Sequence, residues 1–509
     1  MTRSNVIVVG AGFGGLASAI RLQAAGQQVT LLEKRAQPGG RAGQIKTNGF
    51  TFDTGPSIIT APHLLEELWS GAGARLQDDV DLLALTPYYR IYFADGRYFD
   101  YGGTPQQVEA QLRSFDPGAV DGYRRFMHAT RRIYQRAFED LANQSFHRLS
   151  TFVKLVPELL RLNAAQSVYD FVSRFFRDPQ LRSVFSFHPL FIGGNPFRAS
   201  AIYSIVPYLE RQGGVWFARG GMYSVVQAMH RLFERLGGRV RLSAPVEQVL
   251  IDDTKRAVGV RLRSGETLAA DAVVLNADVT SAYTQLVPAR FRTRMTDRRL
   301  RRYRYSMSCF LLYLGLDRQY PDRLLHHTIV MAARYRGLIR DIFDGHGLPP
   351  DMSLYLHAPT RSDPSMAPAG GESLYVLAPV PHLGAGIDWR SQAQAFRDRI
   401  VQFLEHDFGL TGLQESIRAE RWFTPLDFRD DLSSYLGSAF SIEPTLLQSG
   451  WFRPHNVSED VAGLYLVGAG THPGAGLPGV LLSAKITSEL IAQELPATMQ
   501  PLLTENAAV

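Results

Sequence analysis

The 509-residue sequence predicts an α/β fold: a Rossmann-type nucleotide-binding domain assembled from discontinuous segments, joined to a mixed α+β domain and a helical region. Three observations predict it. The run VIVVGAGFGGLASAIRLQAAGQQVTLLEKR (Val6 to Arg35) reads as a buried strand, a glycine-rich turn, a helix and a second strand, which is one βαβ unit. Two further buried strands lie far along the chain, in AVVLNAD (Ala272 to Asp278) and in GLYLVGAGTHPGAGLPGV (Gly463 to Val480), the latter again running into a glycine-rich turn and a helix. The segments between them have a different texture, so one continuous nucleotide domain does not account for the pattern.

Taken in order, residues 5–10 form the first strand, Gly12 to Ala25 a helix with Leu16, Ala19, Ile20 and Leu22 as its apolar stripe, and QVTLLEK the second strand. Pro38 to Ser57 is rich in proline and glycine and reads as loops and short strands; residues 62–73 read as a helix. Residues 75–115 read as antiparallel sheet, with an Asp-Gly hairpin turn in YYRIYFADGRYFDY. From Pro117 to Leu209 the pattern is helical, with FVKLVPELLRL (Phe152 to Leu162) amphipathic. Gly213 to Asp252 reads as loop, helix and strand; Ala257 to Asp278 as a hairpin followed by a buried strand; residues 300–450 as aromatic-rich mixed α/β. The expected division is residues 1–70, 213–290 and 455–495 for nucleotide binding, 71–116 and 291–454 for substrate, a helical region at 117–212 as the candidate for membrane docking, and a flexible tail at 496–509.

Composition is that of a globular protein, 45% hydrophobic and 20% charged. A single cysteine, Cys309, excludes an internal disulfide framework and multi-cysteine metal sites; no metal is expected, and SMSCFLLYLGL marks the residue as a core thiol. The net charge of +6 is mostly scattered arginine, with one dense run, RTRMTDRRLRRYR (Arg292 to Arg304). It reads as a solvated helix face or a lipid-headgroup contact; no nucleic-acid motif accompanies it. No secretory leader is expected, and no apolar run reaches the roughly 18–20 residues that span a bilayer.

Gly10, Gly12 and Gly15 form G-x-G-x-x-G between strand and helix. The first permits the tight turn, the second lets backbone approach a pyrophosphate at the helix N-terminus, and the third lets helix and strand pack closely. Glu33, 18 positions after Gly15, is placed to accept from a ribose diol, with Lys34 beside it. In GGR, Gly40 precedes Arg41, placed to meet a pyrophosphate or flavin. This fingerprint does not by itself separate NAD from FAD. The second glycine-rich helix start after Gly468 and Gly470 does, because FAD is long and its ring needs partners far from the adenosine.

Together with FDTGPSIIT (Phe52 to Thr60), VWFARGGM (Val215 to Met222), SLYLHAPT (Ser353 to Thr360), FTPLDFRD (Phe423 to Asp430) and GSAFSIEPTLLQSGWFRPHN (Gly437 to Asn456), these blocks resemble the bacterial phytoene desaturase family of carotenoid synthesis, within the FAD-dependent amine-oxidase-like superfamily. The resemblance covers nearly the whole chain. It implies a peripheral membrane enzyme on the cytoplasmic side that desaturates 15-cis-phytoene stepwise to neurosporene or lycopene. Hydride would pass from an allylic carbon to flavin N5, a proton would leave the neighbouring carbon, and oxygen or a quinone would be the electron acceptor. It also implies FAD contacts at Gly10, Gly12, Gly15, Glu33, Arg41, Gly55, Val246, Asp278, Gly468, Gly470 and Val480. The long apolar site such a substrate needs is consistent with 29 Phe and 21 Tyr. His188, His357, Asp427 and Arg429 are read as structural, and no catalytic base is assigned. The alternatives are a thirty-carbon diapophytoene desaturase, a carotenoid isomerase, an amine oxidase, or an FAD-bearing carotenoid carrier.

Overall fold

The computed structural model describes residues 4–147 and 149–495; the tail expected at 496–509 lies outside them. Strand β1 (Asn5–Val9) leads into helix α1 (Phe13–Ala24) and back into β2 (Gln28–Leu32). Helix α2 (Met222–Arg235), β3 (Arg239–Arg241), β4 (Ala272–Leu275), β5 (Leu464–Leu466) and helix α3 (Leu477–Glu494) complete the same unit from distant stretches. The five strands form one sheet in the order β5-β4-β1-β2-β3, parallel throughout. A parallel sheet must be covered on both faces. On one face Leu16 and Ile20 of α1 share a core with Val225 and Met229 of α2 and Leu481 and Ile491 of α3. On the other, Ile7, Val273 and Leu275 pack on Val249 and Val260 of a three-stranded antiparallel sheet spanning 246–269.

A second sheet has seven strands, in the order 417–423, 308–316, 372–380, 354–357, 327–330, 89–92 and 98–101. It is antiparallel apart from the pairing of 327–330 with 89–92. Strand Ser308–Leu316 is buried along its whole length, so both of its faces have cover. Alternation sends Phe310, Leu312 and Leu314 to the side capped by Trp389, Phe396 and Ile400, and Cys309, Leu311 and Tyr313 to the side that faces the helical region.

Three details differ from the sequence reading. Residues 105–115 are helix, because Thr104 and Gln107 form a capping box with Pro105 in the first turn and bury Val108 and Leu112 one turn apart. Strand Leu82–Ala84 leaves the hairpin sheet and pairs with Trp216–Ala218. The arginine run is no single helix face: only Asp297–Leu300 is helical, Arg292 is buried against Asp297 at 2.5 Å, and Arg299 pairs with Glu459 at 2.8 Å. Residues 117–212 are mainly helical, including Ala119–Ile133, Leu149–Arg161, Pro179–Ser186 and Val206–Gly213. Among the described residues, no helix is long and apolar enough to cross a membrane.

Candidate functional site

A cavity of about 670 Å³ runs from the carboxyl ends of the parallel strands into the space between the second sheet and the helices. Its first half is backbone. The turn after β1 has no room for side chains: a Cβ on Gly15 would stand 1.9 Å from the carbonyl oxygen of Gly10, and one on Gly10 would stand 2.4 Å from that of Asn276. The Asn276 side chain also donates to the Gly10 carbonyl at 3.1 Å, pinning the turn to the end of β4. Helix α1 starts at this turn with no side-chain cap, leaving its first N–H groups for a ligand. Gly15 itself lies behind the wall, where it lets α1 pack on β1; Gly10, Gly12 and Gly40 line the cavity.

At the end of β2, Glu33 is buried, with its carboxylate accepting from Ala11 N at 2.7 Å and Arg35 N at 2.9 Å. Lys34 reaches Ser433 at 2.8 Å, and burial holds its pKa below the usual lysine value. Val246 stands alongside in the same wall. The Gly39 N–H donates to Ala11 O at 2.8 Å, so the GGR segment lies against the first turn. There Arg41 is half-buried; it donates to Ser434 Oγ at 2.8 Å, and its buried Nε has no partner among the described residues. Burial lowers its pKa, opposed by the charge of Asp278. Gly55 packs so closely that a Cβ would meet the Arg41 carbonyl at 2.3 Å. Asp278 accepts from Thr280 N and Ser281 N through one oxygen, and burial raises its pKa.

On the far side, Gly468 and Gly470 follow β5, and α3 opens at Leu477 without a side-chain cap. The Val480 N–H is already used within the helix, donating to Gly476 O at 2.9 Å, so any ligand donors here lie in the turn before it. The cavity thus offers two uncapped helix starts, a half-buried arginine whose Nε has no partner among the described residues, and a carboxylate at a strand end. This set suits an anionic dinucleotide with a ring that gains negative charge on reduction.

The second half is side chain. Phe146, Phe187, Phe191, Ile205, Leu209 and Leu311 are among its walls, and Cys309 faces it with a thiol whose pKa burial pushes up. The four residues read as structural sit as follows. His188 stacks on Phe187 with ring centroids 4.2 Å apart, and its Nε2 is 3.4 Å from Glu210 Oε2. His357 is buried beside His326, 3.1 Å between their Nε2 atoms. Asp427 caps the helix Pro425–Asp430 through Thr424. Arg429 is exposed and pairs with Asp430.

Sequence reading missed Asn276, Glu210 and Tyr355. Asn276 had a signal, a polar residue ending a wholly apolar strand. Glu210 is completely buried and accepts from Tyr89 OH. Tyr355 bonds Ser57 on the cavity wall at 2.5 Å. Those partners are 121 and 298 positions away, which no local pattern reports.

A family model for flavin containing amine oxidoreductases matches residues 13–492. The chain is 49% identical over 490 residues to a lycopene-forming phytoene desaturase of Pseudescherichia vulneris, covering 96% of this chain and 99% of the relative. It is 47% identical to a lycopene-forming one of Pantoea ananas, covering 96% and 99%, and 42% identical to a neurosporene-forming one of Rhodobacter capsulatus, covering 97% and 94%. Among solved structures, a putrescine oxidase variant matches with a TM-score of 0.65 at 15% identity over 97% of this chain and 99% of that one, a likeness of fold.

Proposed function

The chain belongs to the flavin containing amine oxidoreductase family and, within it, to the phytoene desaturases, and from that premise we propose that it carries phytoene through successive desaturations to neurosporene or lycopene. It is an FAD-dependent oxidoreductase. The observation that carries the reading is the continuity of one cavity, glycine-lined at one end and apolar at the other. When bound, FAD supplies the hydride acceptor.

The residues of this chain do the rest. Arg41 and the uncapped start of α3 offset negative charge that develops in the cavity. Phe187, Phe191, Leu209 and Leu311 exclude water and hold a hydrocarbon, which has no polar handle, by area and shape alone. Loss of hydride from an allylic carbon leaves a cation that makes the neighbouring C–H acidic, so a strong base is not required.

A substrate that resides in lipid favours docking at a membrane, and we assign the docking face to the helix Leu149–Arg161 and the loop at 446–452. Val153 and Leu447 are 57% and 71% exposed there, and Phe152, Leu446 and Gly450 line the cavity just beneath. Arg294 and Arg302 border the neighbouring groove and suit anionic headgroups. On this reading the enzyme is peripheral on the cytoplasmic face, and oxygen or a membrane quinone takes up the electrons.

The test is anaerobic mixing of FAD-loaded protein with phytoene in liposomes, followed by pigment extraction. Bleaching of the oxidised flavin band with appearance of longer polyenes is the expected result, and the pigment spectrum counts the steps. An unbleached band in folded, flavin-loaded protein would overturn it in favour of the thirty-carbon substrate, an isomerase or a carrier.

A further inference from the structure

Each desaturation leaves one proton in a cavity built to exclude water, and one wall of that cavity carries a chain of hydroxyls and imidazoles. Ser57 and Tyr355 line the wall with their hydroxyls 2.5 Å apart, and Tyr355 OH lies 2.7 Å from His327 Nδ1. Further out, His357 Nε2 lies 3.1 Å from His326 Nε2, and His326 Nδ1 lies 2.8 Å from Ser362 Oγ. Ser362 is half-buried, at the edge of the protein, whereas the three imidazoles are buried. The sheet sets this order. Tyr355 and His357 are two apart on one strand and share a face, and His327 is the direct cross-strand partner of His357.

Two ring nitrogens, His327 Nε2 and His357 Nδ1, are buried without a partner among the described residues. The three imidazoles bring ring nitrogens within 4.8 Å of one another, a span that a single bridging water covers. Burial keeps all three neutral, with His326 pushed down to about 3. Each therefore has one N–H and one lone pair, the state that takes a proton on one side while releasing one on the other.

We propose that Ser57, Tyr355, His327, His357 and His326 form the path by which the proton of each desaturation leaves the cavity for solvent at Ser362. The inference rests on the desaturase reading. The C–H bond beside the cation breaks, and its electron pair becomes the π bond of the new double bond. The proton passes to Ser57 Oγ as the serine proton moves to Tyr355 and so along the chain, until Ser362 gives one proton to water. The hydride, with its electron pair, goes to FAD.

The test uses FAD-loaded full-length Tyr355→Phe and His326→Ala with phytoene liposomes. Tyr355→Phe keeps the ring and breaks the hydroxyl link. His326→Ala breaks the outer end without touching the cavity. Both are expected to form longer polyenes about a hundredfold more slowly. Flavin content and the phytoene concentration for half-saturation should stay at wild-type values, both variants should be folded at the assay temperature although His326→Ala vacates a buried site, and the solvent deuterium isotope effect on polyene formation should change. Imidazole added to the buffer should restore His326→Ala. Wild-type rates in both variants would overturn the proposal, as would a loss explained by a fallen thermal midpoint with no rescue. So would a stoichiometric transition metal in the purified protein, since ligated imidazoles do not pass protons. Failure of the desaturase reading itself looks different, because the wild type then neither bleaches its flavin nor lengthens the polyene, which removes the premise and overturns both.

Discussion

At the glycine end of the cavity the groups that face a ligand belong mostly to the backbone, whereas at the apolar end they are side chains brought together from segments far apart in the chain. Backbone geometry at Gly10 and Gly15 leaves one solution, since a single methyl group at Gly15 would sit 1.9 Å from a carbonyl oxygen. The wall made by Leu209, Phe191 and Leu311 needs only apolar volume, which several residue types supply. One end is therefore intolerant of change and the other adjustable, which fits relatives whose names give different products, neurosporene in one case and lycopene in another.

The largest expected effect breaks the cradle. Gly15→Ala should cost about 3 kcal/mol or more and yield protein without flavin, whereas the volume-conserving Leu209→Met at the apolar end should cost less than about 1.5 kcal/mol; thermal unfolding and flavin content measure both. Next is Arg41→Met, which removes a charged donor and should weaken FAD by about 2 kcal/mol, or roughly thirtyfold, in titrations of the apoprotein.

Asp53 joins the two halves: it accepts from Met222 N and Tyr223 N at the start of α2, while Gly55 and Ser57 next to it line the cavity. Burial lifts its carboxyl from 3.8 to about 7. The native state thus holds that proton more tightly than the unfolded chain. The contribution to stability is full below about 3.8 and is lost as pH rises through about 7. Asp53→Asn should abolish this dependence, so the thermal midpoint of the wild type should fall relative to the variant across that window. The smallest effect on stability belongs to Leu447→Glu, 71% exposed. It should shift stability by no more than about 0.5 kcal/mol, yet reduce binding to anionic vesicles in a sedimentation assay.

The same contrast governs what was legible. The βαβ unit, the Glu33 carboxylate at the end of β2 and the second glycine-rich helix start were readable because each is a local rule: a turn that only glycine permits, a strand period, a helix terminus. The helix at 105–115 was equally readable from Thr104, Pro105 and Gln107, and the hairpin signal beside it masked that reading. The pairing of Arg292 with Asp297 and of Arg299 with Glu459 was hidden, since a run of like charges shows its solvated form in sequence and its partners only in space.

By itself, then, the sequence determined the cradle, the strands that build it and the family to which the chain belongs, because backbone-level constraints must be met by particular residues at fixed spacing. Only the tertiary structure decided that the cradle opens into an apolar cavity. It alone set Glu210 against Tyr89 and His188, and joined Ser57 to three histidines through Tyr355. Those groups come from strands and helices up to about three hundred positions apart, and their meeting depends on sheet order and register, which hydrophobic burial sets for the whole chain at once.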